Sequence, residues 1–144
     1  MNLTSGMGSD DSKAKDPVDE PLKLLKDGLY EDALKEATGM LHRDLPKLSK
    51  SSLQFIIGSS QNELGNSNQA VLHLLEGYAI LVEENQPAMM GHFQDEISRI
   101  LYHEGKFNAA LFFINMAIDN FTLASNSEMK DSCEKLRESI LWNL

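Results

Sequence analysis

The sequence predicts an all-α fold made of helix–turn–helix units, and three observations carry that prediction. The stretch Lys26-Asp27-Gly28-Leu29-Tyr30-Glu31-Asp32-Ala33-Leu34 returns in altered form as Glu63-Leu64-Gly65-Asn66-Ser67-Asn68-Gln69-Ala70-Val71, and again as His103-Glu104-Gly105-Lys106-Phe107-Asn108-Ala109-Ala110-Leu111. Each copy holds a glycine, an alanine five places after it and an apolar residue after the alanine, and the glycines are spaced by 37 and 40 residues. Self-similarity at a period of about 20–50 residues is the signature of repeat architectures. The second observation is apolar residues at helical spacing whose stripes are narrow near the ends of the chain and broad in its middle. The third is that no stretch alternates at period two for long enough to read as a strand.

Residues 1–16 are rich in Ser, Gly, Asp and Lys with no apolar period, so they read as a disordered tail ahead of a helical domain over 17–144. Pro17 and Pro21 punctuate the start of a short helix over about 19–27, since proline suits a first helical turn, where its missing N–H has no intrahelical partner. Gly28 ends that helix, because glycine takes the left-handed conformation at no steric cost. A second helix over about 30–43 carries Ala33, Leu34, Ala37, Met40 and Leu41 on one face and stops at Pro46. Ser49, Ser51 or Ser52 is expected to cap the next helix, about 51–64. Beyond the turn Gly65-Asn66-Ser67-Asn68, a helix over about 68–84 bears two stripes, one of Ala70, Leu74, Gly77 and Leu81, the other of Val71, Leu75, Tyr78, Ala79 and Val82. A helix apolar nearly all round is expected to be sandwiched between neighbours. A fifth helix over about 88–104 carries Met89, Phe93, Ile97, Ile100 and Leu101; a sixth over about 107–123 carries Ala110, Phe113, Ile114, Ala117, Ile118 and Phe121. Ser125-Asn126-Ser127 breaks the chain and caps a last helix over about 127–142, apolar at Met129, Cys133, Leu136 and Ile140 and charged elsewhere. One apolar and one solvated face is what a terminal capping element needs. Trp142 is expected to fold back onto the last groove.

Composition narrows the function classes. At 144 residues the chain makes one ordinary domain, large enough to bury its own core. A formal net charge of −9 argues against nucleic acid and anionic membrane as partners, because both need a basic footprint. No apolar run approaches the ~20 residues of a membrane span, and the start lacks the apolar core of a signal peptide. A single cysteine, Cys133, allows neither an internal disulfide nor a cysteine-based zinc site, which fits a reducing compartment. The expectation is an intracellular, cytoplasmic protein.

The residues hold no catalytic constellation. His42, His73, His92 and His103 include no i, i+4 pair, and no His-Glu-x-x-His or glycine-rich phosphate loop occurs, so no metal and no cofactor are expected. His73, among Leu72, Leu74 and Leu75, reads as a packed or rim histidine. Cys133 reads as a buried structural thiol, since it lies on the apolar stripe and Asp131 and Glu134 would raise its pKa. Met89-Met90 reads either as core filler or as an adaptable contact surface.

Helix, glycine turn, helix with an alanine, then proline is similar to the tetratricopeptide repeat (TPR). The clearest unit is Lys26 to Leu34 followed by Pro46; the second adds Ile57-Gly58, where helices approach closely; the third supplies Leu101, Gly105, Phe107, Ala110 and Ala117. The resemblance covers residues 19–124 as three units, with 127–142 as cap. The spacings exceed the family's usual period of about 34 residues, which implies outer helices about one turn longer. The aromatic often found early in the family's first helix is missing from the clearest unit. What the resemblance implies is antiparallel helix pairs stacked as a short right-handed superhelix. The open alternative is a plain helical bundle whose units converge on Gly and Ala.

In that family the first helix of each unit lines a concave groove that binds a partner's peptide or helix. Carried onto this sequence, the groove faces are Ser52, Phe55, Ser59 and Asn62 from one helix and His92, Asp95, Arg99, Tyr102 and His103 from another. Tyr and Arg are common binding hot spots; the competing readings are Tyr102 packed under the capping helix and Arg99 an ordinary solvated charge. Family members that clamp acidic C-terminal chaperone tails use lysines, asparagines and an arginine, whereas the aligned positions here are Phe55, Ile56, Asp95 and Glu96, so that binding is not expected. The implied function is a non-catalytic adaptor or scaffold that takes a basic or amphipathic helical protein segment. The alternative is a structural assembly subunit, or a homodimer joined through outer helices or the cap, with Ile56, Leu123 or Trp142 at the interface.

Overall fold

The computed structural model describes residues 16–144, so the expected tail lies outside the described residues apart from Asp16. Among the described residues seven helices follow in order: α1 (Asp19–Lys26), α2 (Tyr30–Met40), α3 (Lys47–Glu63), α4 (Ser67–Glu84), α5 (Pro87–His103), α6 (Phe107–Leu123) and α7 (Ser127–Leu141). Each packs as an antiparallel neighbour on the next, and there is no strand among the described residues. Alternate helices of the odd series also touch: α1 meets α3, α3 meets α5 and α5 meets α7. The even helices α2, α4 and α6 do not touch one another. Odd helices therefore share an inner side, and even helices stand outside them.

The turns explain this regularity. Gly28, Gly65 and Gly105 all have positive φ, at 78°, 88° and 76°. In each turn the glycine N–H and the N–H after it reach back into the last helical turn: Gly28 to Leu25 O and Leu29 to Leu24 O, Gly65 to Asn62 O and Asn66 to Gln61 O, Gly105 to Tyr102 O and Lys106 to Leu101 O. This paired bonding satisfies carbonyls that a helix end leaves unpaired. Two further turns have the same bonds without glycine. Asn85 (φ 51°) bonds Val82 O while Gln86 bonds Leu81 O, and Ser125 (φ 55°) bonds Thr122 O while Asn126 bonds Phe121 O. Asparagine tolerates the left-handed region; a serine there pays for its Cβ. Ser125→Gly is therefore expected to stabilise the fold by about 1 kcal/mol, read as a higher urea midpoint with an unchanged m-value.

Several boundaries differ from expectation. The second helix ends at Met40 rather than near residue 43, with the Arg43 N–H closing a turn on Met40 O. The third helix begins at Lys47, not at a serine cap. Pro46, extended at φ −56° and ψ 150°, takes the cap position, and its carbonyl accepts the Lys50 N–H. Ser51 lies inside α3, buried, and donates to Gly77 O at 3.0 Å. The outer helices α4 and α6 have 18 and 17 residues, long as expected, but α2 has only 11. Asn126 caps α7 as expected, accepting from Met129 N–H at 3.1 Å.

The core forms two clusters. Ala33, Ala37 and Met40 of α2 bury against Leu53, Ile56 and Ile57 of α3, with Val18 beside them; a larger cluster runs from Ala70 on α4 to Ile140 on α7. Gly58 marks the close approach of α3 and α4, since a Cβ there would lie 2.7 Å from Leu74 Cγ.

Three expectations about exposure fail. Helix α4 is not sandwiched: Leu72 and Val82 are 55% and 51% exposed, because among the described residues α4 has neighbours only in α3 and α5. Trp142 does not fold back and is 89% exposed. It stands two residues after buried Ile140, and residues two apart on a helix point to opposite sides. Ile56, expected at an interface, is buried between Leu53 and Ile57 in the first cluster.

Candidate functional site

On the inner side the odd helices enclose an open cleft of about 470 Å³, with walls of Val18, Leu22 and Lys26 from α1, Ser52, Phe55 and Ile56 from α3, and Met89, His92 and Phe93 from α5. The helices set this lining by their spacing. Val18 at the N-cap of α1, Leu22 and Lys26 recur every four residues, as do Ser52 and Ile56, so each wall is one side of one helix. The half-buried Phe55 ring meets Phe93 edge to face with centroids 5.1 Å apart, and the exposed His92 ring stands edge-on to buried Phe121 at 4.9 Å. The aromatic floor is thus held from behind by the core.

One helical turn further along, the inner side becomes polar. Ser59 Oγ on α3 donates to Glu96 Oε2 on α5 at 3.2 Å. Arg99 donates from Nε to Asp95 Oδ1 at 3.0 Å and from Nη2 to Ser132 Oγ on α7 at 3.1 Å. The Cys133 thiol donates to the same Asp95 oxygen at 3.6 Å. Burial, then the Asp95 carboxylate, pushes that thiol up to about 12, so it stays protonated and unreactive at neutral pH. Burial also raises Glu96 above the ordinary 4.5; the Ser59 hydrogen bond and the Arg99 charge oppose the rise, and Asp95 and Glu63 add to it. Tyr30 is held above its ordinary 10.0 mainly by the charge of the Glu63 carboxylate.

The Glu96 shift has a stability consequence whose sign is definite. A carboxyl with a raised folded-state pKa costs the fold nothing below its unfolded value and an increasing amount as pH rises through the folded value. Glu96→Gln should therefore raise the thermal midpoint at neutral pH, and the gain should vanish below pH 4.5, the ordinary value for the group. Paired melts of wild type and variant across that window measure it.

The sequence-chosen residues fall into four places. Phe55 and His92, with Ser52, line the cleft; Ser59, Asp95 and Arg99 belong to the polar stretch beside it. Asn62 is half-buried near the end of α3. Tyr102 packs edge-on against His103 and Phe107, at 5.5 and 5.8 Å, at the far end of α5. Arg99 is a cross-link between α5 and α7 rather than an ordinary solvated charge. His73 is half-buried and shares a 2.8 Å contact between Nδ1 and Gln54 Oε1, as a rim histidine would. Sequence reasoning missed the α1 wall entirely, although the Val18, Leu22, Lys26 spacing carried the signal; Met89 is half-buried in the cleft wall.

No three His, Cys, Asp or Glu side chains gather as a metal site among the described residues, and no helix there is long and apolar enough to cross a membrane. Comparison of the chain with protein-family models, with curated proteins and with solved structures gives no match.

Proposed function

We propose that this chain is a non-catalytic protein-interaction module that holds a segment of a partner protein in the cleft between α1, α3 and α5. The observation that carries this reading is the lining itself, a continuous apolar wall open to solvent with only Lys26 and His92 ionisable in it. Binding sites are concave and mostly apolar, with a few placed polar groups. The same reading takes the helix pairs as a TPR-like right-handed stack of three units capped by α7, in an intracellular setting. It is supported by the shared turn geometry and by contacts that run along the odd helices and not along the even ones. Acidic chaperone tails remain poor candidates, because Glu96 and Asp95 border the cleft.

The test is partner capture with wild type beside a Phe55→Ala, His92→Ala double variant whose circular dichroism stays helical. Arg99 and Tyr102 are left alone, since both are tied into packing. Loss of the captured partners at least tenfold is the expected result; full retention would refute cleft binding. A second reading, an assembly subunit joined through the outer helices or the cap, draws on exposed Phe112, Leu123 and Trp142. It predicts a dimer by light scattering that a Phe112→Ser, Trp142→Ser variant abolishes.

A further inference from the structure

The apolar cleft runs into an acidic stretch one helical turn along, and that polarity selects the occupant. Glu96 makes no salt bridge among the described residues; its one hydrogen bond comes from a neutral serine, and Arg99 acts on it by charge alone. Glu63 lies close enough to act on Glu96 by charge. Asp95, by contrast, is occupied by Arg99 and Cys133. The −9 net charge of the chain adds a long-range pull on cations. Lys26 is the opposing charge on the α1 wall.

Resting on the cleft reading above, we infer that the occupant is an amphipathic basic helix, its apolar residues seated between α1, α3 and α5 and a lysine or arginine one turn along placed on Glu96 and Glu63. On α5 the step from His92, in the apolar wall, to Glu96 is four residues, about 6 Å at 1.5 Å per residue. A bound helix brings an apolar residue and a cation four positions later to one face at that same separation. The site has no sheet edge to which an extended strand could add, among the described residues. Glu96 is also a group whose ionised form its own fold disfavours, which suits a carboxylate satisfied by a partner.

The experiment is a display selection from a library of alanine-based helical peptides with one randomised face, using the full chain as bait. Enriched peptides should carry Leu, Phe or Met with Lys or Arg one turn away. Synthesised, they should bind Glu96→Gln about tenfold more weakly, with the variant's fold checked by its melt. Selection on Glu96→Lys should replace the basic residue by Asp or Glu. Peptides that bind Glu96→Gln as tightly as wild type, yet lose binding on Phe55→Ala or Leu22→Ala, would overturn the basic-helix inference and leave the cleft reading standing. Peptides indifferent to Phe55 and Leu22, or a selection that enriches nothing, would overturn both.

Discussion

Phe121→Ala should lower the unfolding free energy by about 3–5 kcal/mol, the range for deleting a buried phenylalanine ring. The side chain has no exposed surface, and it fills the space that Gly91 leaves on α5: a Cβ on Gly91 would meet its ring atoms at 2.9–3.1 Å. The backbone around that site cannot easily collapse onto a void, because the Phe121 carbonyl is held by the Asn126 N–H in the α6–α7 turn. The effect should reach the cleft as well, since the ring supports His92 from behind. Chemical denaturation followed by circular dichroism measures the loss. A cost below about 1 kcal/mol would mean that α5 and α6 are not packed as described.

The second large effect is a pair of glycine substitutions of opposite sign. Gly77 sits in the middle of α4, where alanine would ordinarily gain about 1 kcal/mol in helix propensity. Here a Cβ would lie 2.6 Å from Phe93 Cε2 and 2.9 Å from Gln54 Cβ, and Gln54 Cβ is fixed to the α3 backbone. Moving α4 away would also stretch the bond from Ser51 to Gly77 O. Overpacking of this kind costs about 1–3 kcal/mol, so Gly77→Ala should destabilise the fold despite the propensity gain. Gly39, exposed in α2 with nothing within 4 Å of its added Cβ, should be stabilised by alanine by about 0.5 kcal/mol. Thermal melts of the two variants beside wild type check both signs. If both stabilise, the close approach of α3, α4 and α5 at Gly77 is wrong.

The helices were legible because each has an apolar face that must be buried: Ala33, Ala37 and Met40 on α2 and Cys133, Leu136 and Ile140 on α7 lie where their spacing puts them. The glycine turns were legible because only glycine takes positive φ without cost. The breaks at Asn85 and Ser125 were legible as helix ends, but not their sharing of the glycine turns' geometry, since without a glycine it is the hydrogen bonds at the turn that hold them at positive φ. The apolar outer side of α4 misled for another reason. Hydrophobic pattern tells how much of a helix is apolar, not whether a neighbour exists to cover it, and Leu72 and Val82 have none. The α3 and α5 walls of the cleft were within reach through Phe55 and His92. The α1 wall was overlooked although Val18, Leu22 and Lys26 recur every four residues, because α1 is only 8 residues long and so short a face is easily passed over.

The most direct test of cleft binding is site-specific photo-crosslinking of the full chain in cells, with a photoreactive phenylalanine analogue placed at Phe55 or His92 on the inner side, or at Leu72 or Phe112 on the outer. Binding between α1, α3 and α5 predicts discrete partner adducts from Phe55 and His92, and none from Leu72 or Phe112. Adducts from the outer positions alone would contradict it and move the interface to α4 and α6.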